Sequence, residues 1–257
     1  MVIVVIGDEI LSGHTVDSNS PWLVQRLVRS GHRVSRIVVI PDDVDEIAST
    51  LRQLLDQKTD TVFIMGGIGP THDDVTFEGV ARGLGVELSY SPKAASLMYQ
   101  YLSLRNPDLD RDTIDTDPGV IKMATIPECA EPLINREGSA PALEIVRNGS
   151  TLFVLPGVPR EFKHVLDSEI LDKRLPECRD AQVFVDLPVS ATERSMMDLL
   201  KTCSDNHPDV KLGSYPQPDR VVILRLSGCK EAVDDCLEEL KSRLLDAFGK
   251  SVMVTSR

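Results

Sequence analysis

At 257 residues the chain is long enough for one large domain or two small ones, and its 42% hydrophobic and 26% charged residues describe a folded globular protein. Low-complexity and fibrous classes are excluded. Its 40 acidic against 28 basic residues give a net charge of −12, and only 4% of residues are aromatic, which argues against a nucleic-acid groove and leaves any anionic ligand in need of local help.

The opening run Val2 to Ile6 is almost wholly β-branched and stops at Gly7, as a buried strand feeding a loop does. It is far short of the roughly 20 apolar residues of a membrane span. It also lacks the charged lead and small-residue exit of a secretory signal, so no membrane partner and a cytoplasmic location are expected. Ser20-Pro21 then offers an N-cap and a first-turn proline to a helix carrying Leu23, Val24, Leu27 and Val28 and ending at Gly31. Val34 to Ile40 reads as a second strand, and beyond Asp42 and Asp43 the set Val44, Ile47, Ala48, Leu51, Leu54, Leu55 has helical spacing. Thr61 to Met65 is a third strand, followed by a glycine turn and a helix with Phe77, Val80, Ala81 and Leu84, closed by Gly85.

Strand and helix alternating in this way predict a βαβ layer fold with a mainly parallel sheet and ligands at the strand C-termini. Pro92 to about Leu104 reads as helix, and Asn106 to Gly119 as a polar surface excursion. Val120 to Ile126, Ala142 to Val146 and Thr151 to Leu155 are expected as strands, and a helix with Phe162, Val165 and Leu166 follows Pro159. The pattern breaks near Leu175-Pro176. Residues 1–175 are therefore expected as one domain and 176–257 as a small α+β domain with strands from Gln182 to Val185, near Val210 and from Val221 to Leu226, and helices from Glu193 to Cys203 and from Glu231 to Leu245. The five cysteines, Cys129, Cys178, Cys203, Cys229 and Cys236, form no C-x-x-C pair and are expected as structural thiols.

Four segments could carry chemistry. Gly66-Gly67-Ile68-Gly69-Pro70-Thr71-His72-Asp73-Asp74 joins a strand to a helix, where glycine amides can crowd a phosphate, or where glycine serves only the steric needs of a tight turn. The spacing matches neither a dinucleotide fingerprint nor a Walker loop. Asp73 and Asp74 are read as lying in the first helical turn, where the dipole alone justifies them. Beside a phosphate they would repel it unless a divalent cation bridges the two, so turn and acid pair together predict a metal. His72 could be a base or ligand, or simply a surface residue. Asp8 and Glu9, after the first strand, could complete the metal site and Ser12 could donate to a phosphate; a solvated loop is the plain alternative. Asn135, Gly138 and Ser139, and Pro156, Gly157 and Pro159, form two rigid loops, the first with neutral donors for a phosphate or heterocycle. No G-x-S-x-G elbow or framed cysteine suggests covalent catalysis.

Taken in order, GDEILSG, SPWL, GGIGPTHDDVTFEGVA, NREGSAPALEI and LPGVPRE resemble the molybdopterin-binding-like domain shared by molybdenum-cofactor proteins, CinA-type proteins and eukaryotic FAD synthases. THDDVTFE and Lys211 to Pro216 look closest to the N-terminal region of FAD synthase, and the similarity covers nearly the whole chain. The resemblance implies a three-layer α/β/α fold whose pocket is made by Gly66 to Gly69, by Asp8 with Glu9, and by Pro156 to Pro159. It also implies hydrolysis of a dinucleotide pyrophosphate such as ADP-ribose or FAD, the latter giving FMN and AMP, dependent on Mg²⁺, Mn²⁺ or Co²⁺. The adenylyl-transfer half of FAD synthase and the deamidating domain of CinA-type proteins have no counterpart in the sequence, so the chain alone is not expected to make FAD.

The leading expectation is thus a nucleotide pyrophosphatase in which Asp73 and Asp74, with Asp8 or Glu9, hold a metal. Gly66, Gly67, Gly69 and Thr71 cradle phosphate, and Asn135 and Ser139 position the rest of a nucleotide or flavin ligand. A noncatalytic regulatory flavin- or nucleotide-binding module and a molybdopterin-handling enzyme are the alternatives. Relatives of this fold often associate, so a homo-oligomer is expected.

Overall fold

Residues 1–108, 110–171, 173–175, 183–249 and 252 are described by the structure, a computed structural model. The chain divides into two compact units, Met1–Leu27 with Arg33–Pro176, and Val28–His32 with Glu177–Arg257.

The first unit runs β1 (Val2–Ile6), α1 (Asp8–Leu11), α2 (Asn19–Arg29), β2 (Arg36–Ile40), α3 (Val44–Asp56), β3 (Thr61–Met65), α4 (Thr76–Leu84), β4 (Leu88–Tyr90), α5 (Pro92–Arg105), α6 (Arg111–Thr116), α7 (Pro118–Ala124), β5 (Thr125–Pro127), β6 (Glu131–Leu133), β7 (Ala142–Arg147), β8 (Ser150–Leu155) and α8 (Pro159–Val165), the last continuing as a wider π-helical stretch over Leu166–Leu171. Its central sheet has the order β2-β1-β3-β8-β7-β6. The pairs β2–β1, β1–β3 and β3–β8 are parallel, and β8–β7 and β7–β6 antiparallel.

Every residue of β1 and β3 is buried. Side chains alternate across a strand, and here both faces are covered. Val2, Val4, Ile6, Val62 and Ile64 pack with Ile47, Leu51, Val80 and Met123, the contributions of α3, α4 and α7. Ile3, Val5, Phe63 and Met65 pack with Leu23, Leu27, Phe162 and Val165 from α2 and α8. The result is a three-layer α/β/α unit with a mainly parallel sheet. Phe63 and Phe153 stack across β3 and β8 with centroids 5.5 Å apart.

Three sequence expectations are corrected here. The excursion from Asn106 to Gly119 contains α6 and opens α7, because Asp110 and Asp117 cap them through Asp112 and Val120 N–H. Val120 to Ile126 is accordingly helix up to Ala124, with only a three-residue strand after it. The segment after Gly7 is a single helical turn, α1, with both acids in it.

The second unit contains β9 (Val183–Val189), α9 (Glu193–Asn206), β10 (Lys211–Pro216), β11 (Val222–Gly228) and α10 (Lys230–Phe248). Its antiparallel sheet, ordered β10-β11-β9, packs Leu224 and Leu226 against Met196, Cys203, Val233, Cys236, Leu240 and Leu244. Burial pushes the Cys236 thiol up to about 11, so it stays protonated and inert at neutral pH. Gln182, Pro176 and Cys178, named in the sequence reading, lie outside the described residues. Among the described residues no helix is long and apolar enough to cross a membrane.

Candidate ligand cleft at the switch point of the sheet

The chain leaves β1 toward β2 on one side and enters β3 on the other, so the C-terminal ends of β1 and β3 mark the place where strand order reverses and where open α/β sheets hold ligands. A cleft of about 430 Å³ opens there. Glu9, Gly66, Gly67, Gly69, Asp74, Ser139, Pro156 and Gly157 all line it. Asp8, Ser12, Thr71, Asp73, Asn135, Gly138 and Pro159 do not.

The glycine turn is shaped first by its backbone. Gly66 has φ +101°, and a Cβ there would sit 2.2 Å from the Ile6 carbonyl oxygen. Its N–H donates to Leu155 O at 3.1 Å and its carbonyl accepts from the buried Thr76 hydroxyl at 2.8 Å, so Gly66 ties β1, β3, β8 and α4 together and has no amide left for a phosphate. Thr71 is equally committed, since its N–H and hydroxyl both donate to Asp74 Oδ2, at 2.9 and 2.5 Å. The amides of Gly67, Ile68 and Gly69 make no hydrogen bond among the described residues, which leaves them as the donors of the turn. The Pro156–Gly157 turn closes over it, with a Cβ at Gly157 only 3.3 Å from Gly66 Cα.

Asp73 and Asp74 lie ahead of α4, which starts at Thr76 with Glu78 as its first-turn acid, so dipole stabilisation does not account for them. Asp74 closes its own turn through Thr71, while Asp73 is exposed beside His72, 4.0 Å away. Asn135 was expected to hold ligand but is spent on its own loop. Its Nδ2 donates to Ala140 O and Glu161 Oε2 at 2.9 and 2.7 Å, and its Oδ1 accepts from the N–H groups of Glu137 and Gly138. Gly138 is buried under the Glu161 carboxylate. Ser12 donates to Glu9 O, and Pro159 opens α8.

Three residues to which the sequence reading gave no site role belong here. Asp42, just beyond β2, accepts from Asp8 N–H at 2.9 Å, and burial raises its carboxyl above the usual range, with Asp8, Glu9 and Asp74 adding like charge. Glu161 lines the cleft and is likewise raised by burial, opposed by the Asn135 hydrogen bond. Lys122 of α7 donates to the carbonyls of Gly69 and Asp74, at 2.9 and 2.7 Å, and so holds both ends of the turn. The rule that placed Asp8 at a strand C-terminus applies equally to Asp42; Lys122 was hidden in a segment read as strand.

The donor set of the cleft is hard oxygen. Among the described residues, however, no three His, Cys, Asp or Glu side chains are gathered closely enough to hold an ion. The four-carboxylate metal site is therefore not preassembled. Mg²⁺ is commonly held by one or two carboxylates together with substrate phosphates, and Glu9 and Asp74, which both line the cleft, are donors of that kind.

Fold and cleft together define an α/β ligand-binding domain with a glycine turn and carboxylates at the sheet switch point. The family model described as a probable molybdopterin binding domain matches residues 2–176, and the chain belongs to that family. The model of the FAD synthase middle domain matches residues 183–251. Protein PH0439 of Pyrococcus horikoshii is 41% identical over 175 residues, covering 66% of this chain and 67% of that protein. A protein of Archaeoglobus fulgidus is 33% identical over 245 residues, which are 95% of this chain and 98% of its own. Among solved structures, the protein CinA with unknown function from Thermoplasma acidophilum has a TM-score of 0.60 and 32% identity, covering 68% of this chain and 98% of that one.

Proposed function

We propose that the chain hydrolyses the pyrophosphate of a dinucleotide of the FAD or ADP-ribose type. The observation that carries this reading is the meeting, in one cleft, of unbonded turn amides with the Glu9 and Asp74 carboxylates. Amides alone suit an anion and carboxylates alone repel one; the pair suits a phosphate that arrives with a divalent cation. Glu9 and Asp74 would hold that cation, which supplies charge neutralisation and polarisation of the phosphoryl group when bound. The Gly67, Ile68 and Gly69 amides bind phosphate oxygens. Thr71 fixes the Asp74 carboxylate in place, and the Pro156–Gly157 turn walls the cleft off from water on one side.

Chromatography of FAD and ADP-ribose incubated with Mg²⁺, Mn²⁺ or Co²⁺ tests this. AMP is expected with metal and none with chelator. Asp74→Ala and Glu9→Gln, checked for retained melting temperature, are each expected to lower turnover at least about 100-fold. Unchanged turnover in both variants would refute the roles of Glu9 and Asp74, and ligand binding without product under every metal would refute hydrolysis. Preference for a pterin phosphate over both dinucleotides would instead favour the ligand that the family description names.

A further inference from the structure

Behind the glycine turn lies a second compartment that the reading above leaves unused. It measures about 300 Å³, within the usual size range of small-ligand sites. Ile68, Val75, Phe77 and Leu88 give it an apolar floor, and Lys122 stands at its edge. Ile68, Gly69 and Asp74 line both this compartment and the main cleft, so the two cavities are separated by a wall one turn thick. The Lys122 ammonium has three donors, of which carbonyl oxygens use two. Among the described residues no carboxylate lies within ion-pair distance of it, though its charge acts on Asp73 and the compartment is also lined by Asp74 and Glu78, so one N–H remains for an anion at the wall.

We infer that this compartment receives a planar aromatic ring, one end of a two-ended ligand whose phosphates cross the Ile68–Gly69–Asp74 wall and whose other end occupies the main cleft. The inference rests on the dinucleotide reading and deepens it. A mononucleotide fills one cavity, a dinucleotide fills both, and the second cavity is what selects between them. Apolar floor and cationic edge match the ring and the phosphate of a nucleotide half.

The test fills the compartment from its far side with Leu88→Trp and, separately, Thr125→Trp, neither of which belongs to the main cleft. Calorimetric titrations with AMP and with the methylene-bridged analogue of ADP-ribose give two dissociation constants for each protein. The wild-type protein is expected to bind the analogue at least tenfold more tightly than AMP, and each filled variant to lose that preference while its affinity for AMP and its melting temperature stay unchanged. A preference that survives both fillings, or its absence from the wild-type protein, overturns the inference. A parallel turnover assay on ADP-ribose separates the failures. Metal-dependent AMP release with an unchanged preference overturns the second compartment alone, whereas neither turnover nor binding overturns the hydrolase reading with it.

Discussion

Replacing Gly66 with alanine tests whether the turn is held by backbone geometry. The residue sits at φ +101°, where an L side chain costs about 1–2 kcal/mol. The added Cβ would also lie 2.2 Å from the Ile6 carbonyl oxygen, and Ile6 is fixed in β1 between β2 and β3. Relieving such an overlap in a packed interior typically costs about 1–3 kcal/mol more. The sum is about 2–5 kcal/mol. Gly85, at φ +67° after α4, is the control, because a Cβ there meets nothing within 4 Å and only the backbone cost of about 1–2 kcal/mol applies. Urea unfolding followed by tryptophan fluorescence measures both, since the single tryptophan, Trp22, sits edge-on to Phe162 in the first unit and reports that unit alone. Gly66→Ala is expected to unfold at lower urea than Gly85→Ala by a margin of about 1–3 kcal/mol. Equal losses in the two variants would show that β1 yields freely and that the turn is not pinned.

Two further predictions concern pH. Because the folded protein holds the Asp42 carboxyl above its ordinary 3.8, the charged form costs stability that is intact below that value and is lost as pH rises through the folded pKa. Asp42→Asn, which keeps an acceptor for Asp8 N–H, is therefore expected to melt higher than the wild-type protein at pH 7 and equally at pH 3, and a lower melting temperature at pH 7 would contradict this. Glu239 behaves oppositely. Hydrogen bonds from His207, Arg243 and Asn206 bring it down to about 2, so its contribution is full above the ordinary 4.5 and is lost as pH falls toward 2. Glu239→Gln should speed amide exchange in α9 and α10 at pH 7 and leave it unchanged at pH 2; faster exchange at both would rule out the charge as the cause.

Where a chemical signal was strong and local, the sequence displayed the fold. The β-branched run of β1, the amphipathic spacing of α3 and the glycine after α4 each follow from a few adjacent residues. What escaped was decided by competition or distance. Val120 to Ala124 is as apolar as a strand, and only Asp117-Pro118, an N-cap followed by a first-turn proline, tips it into helix. Glu9 was legible as a cleft residue because it follows the end of β1, and Asp74 because it belongs to the glycine turn ahead of α4. The commitment of Asn135 to its own loop was not, because its partner Glu161 arrives from another element. Gly66 was legible as a glycine that mattered, yet its amide belongs to Leu155, a contact no local spacing announces.

That contact also bears on how the protein is made. β3 pairs with β8 from Thr61↔Thr151 to Met65↔Leu155, and the intervening chain forms α4 to α7 and the four strands β4 to β7 before β8 exists. During synthesis the fully apolar β3 therefore waits with one edge unpaired, and long-range parallel pairing of this kind is slow because loop closure is paid before it is rewarded. The cleft floor is completed last. A ribosome stalled before residue 150 would release a chain with a bare strand edge, the kind of surface that recruits chaperones or seeds aggregates.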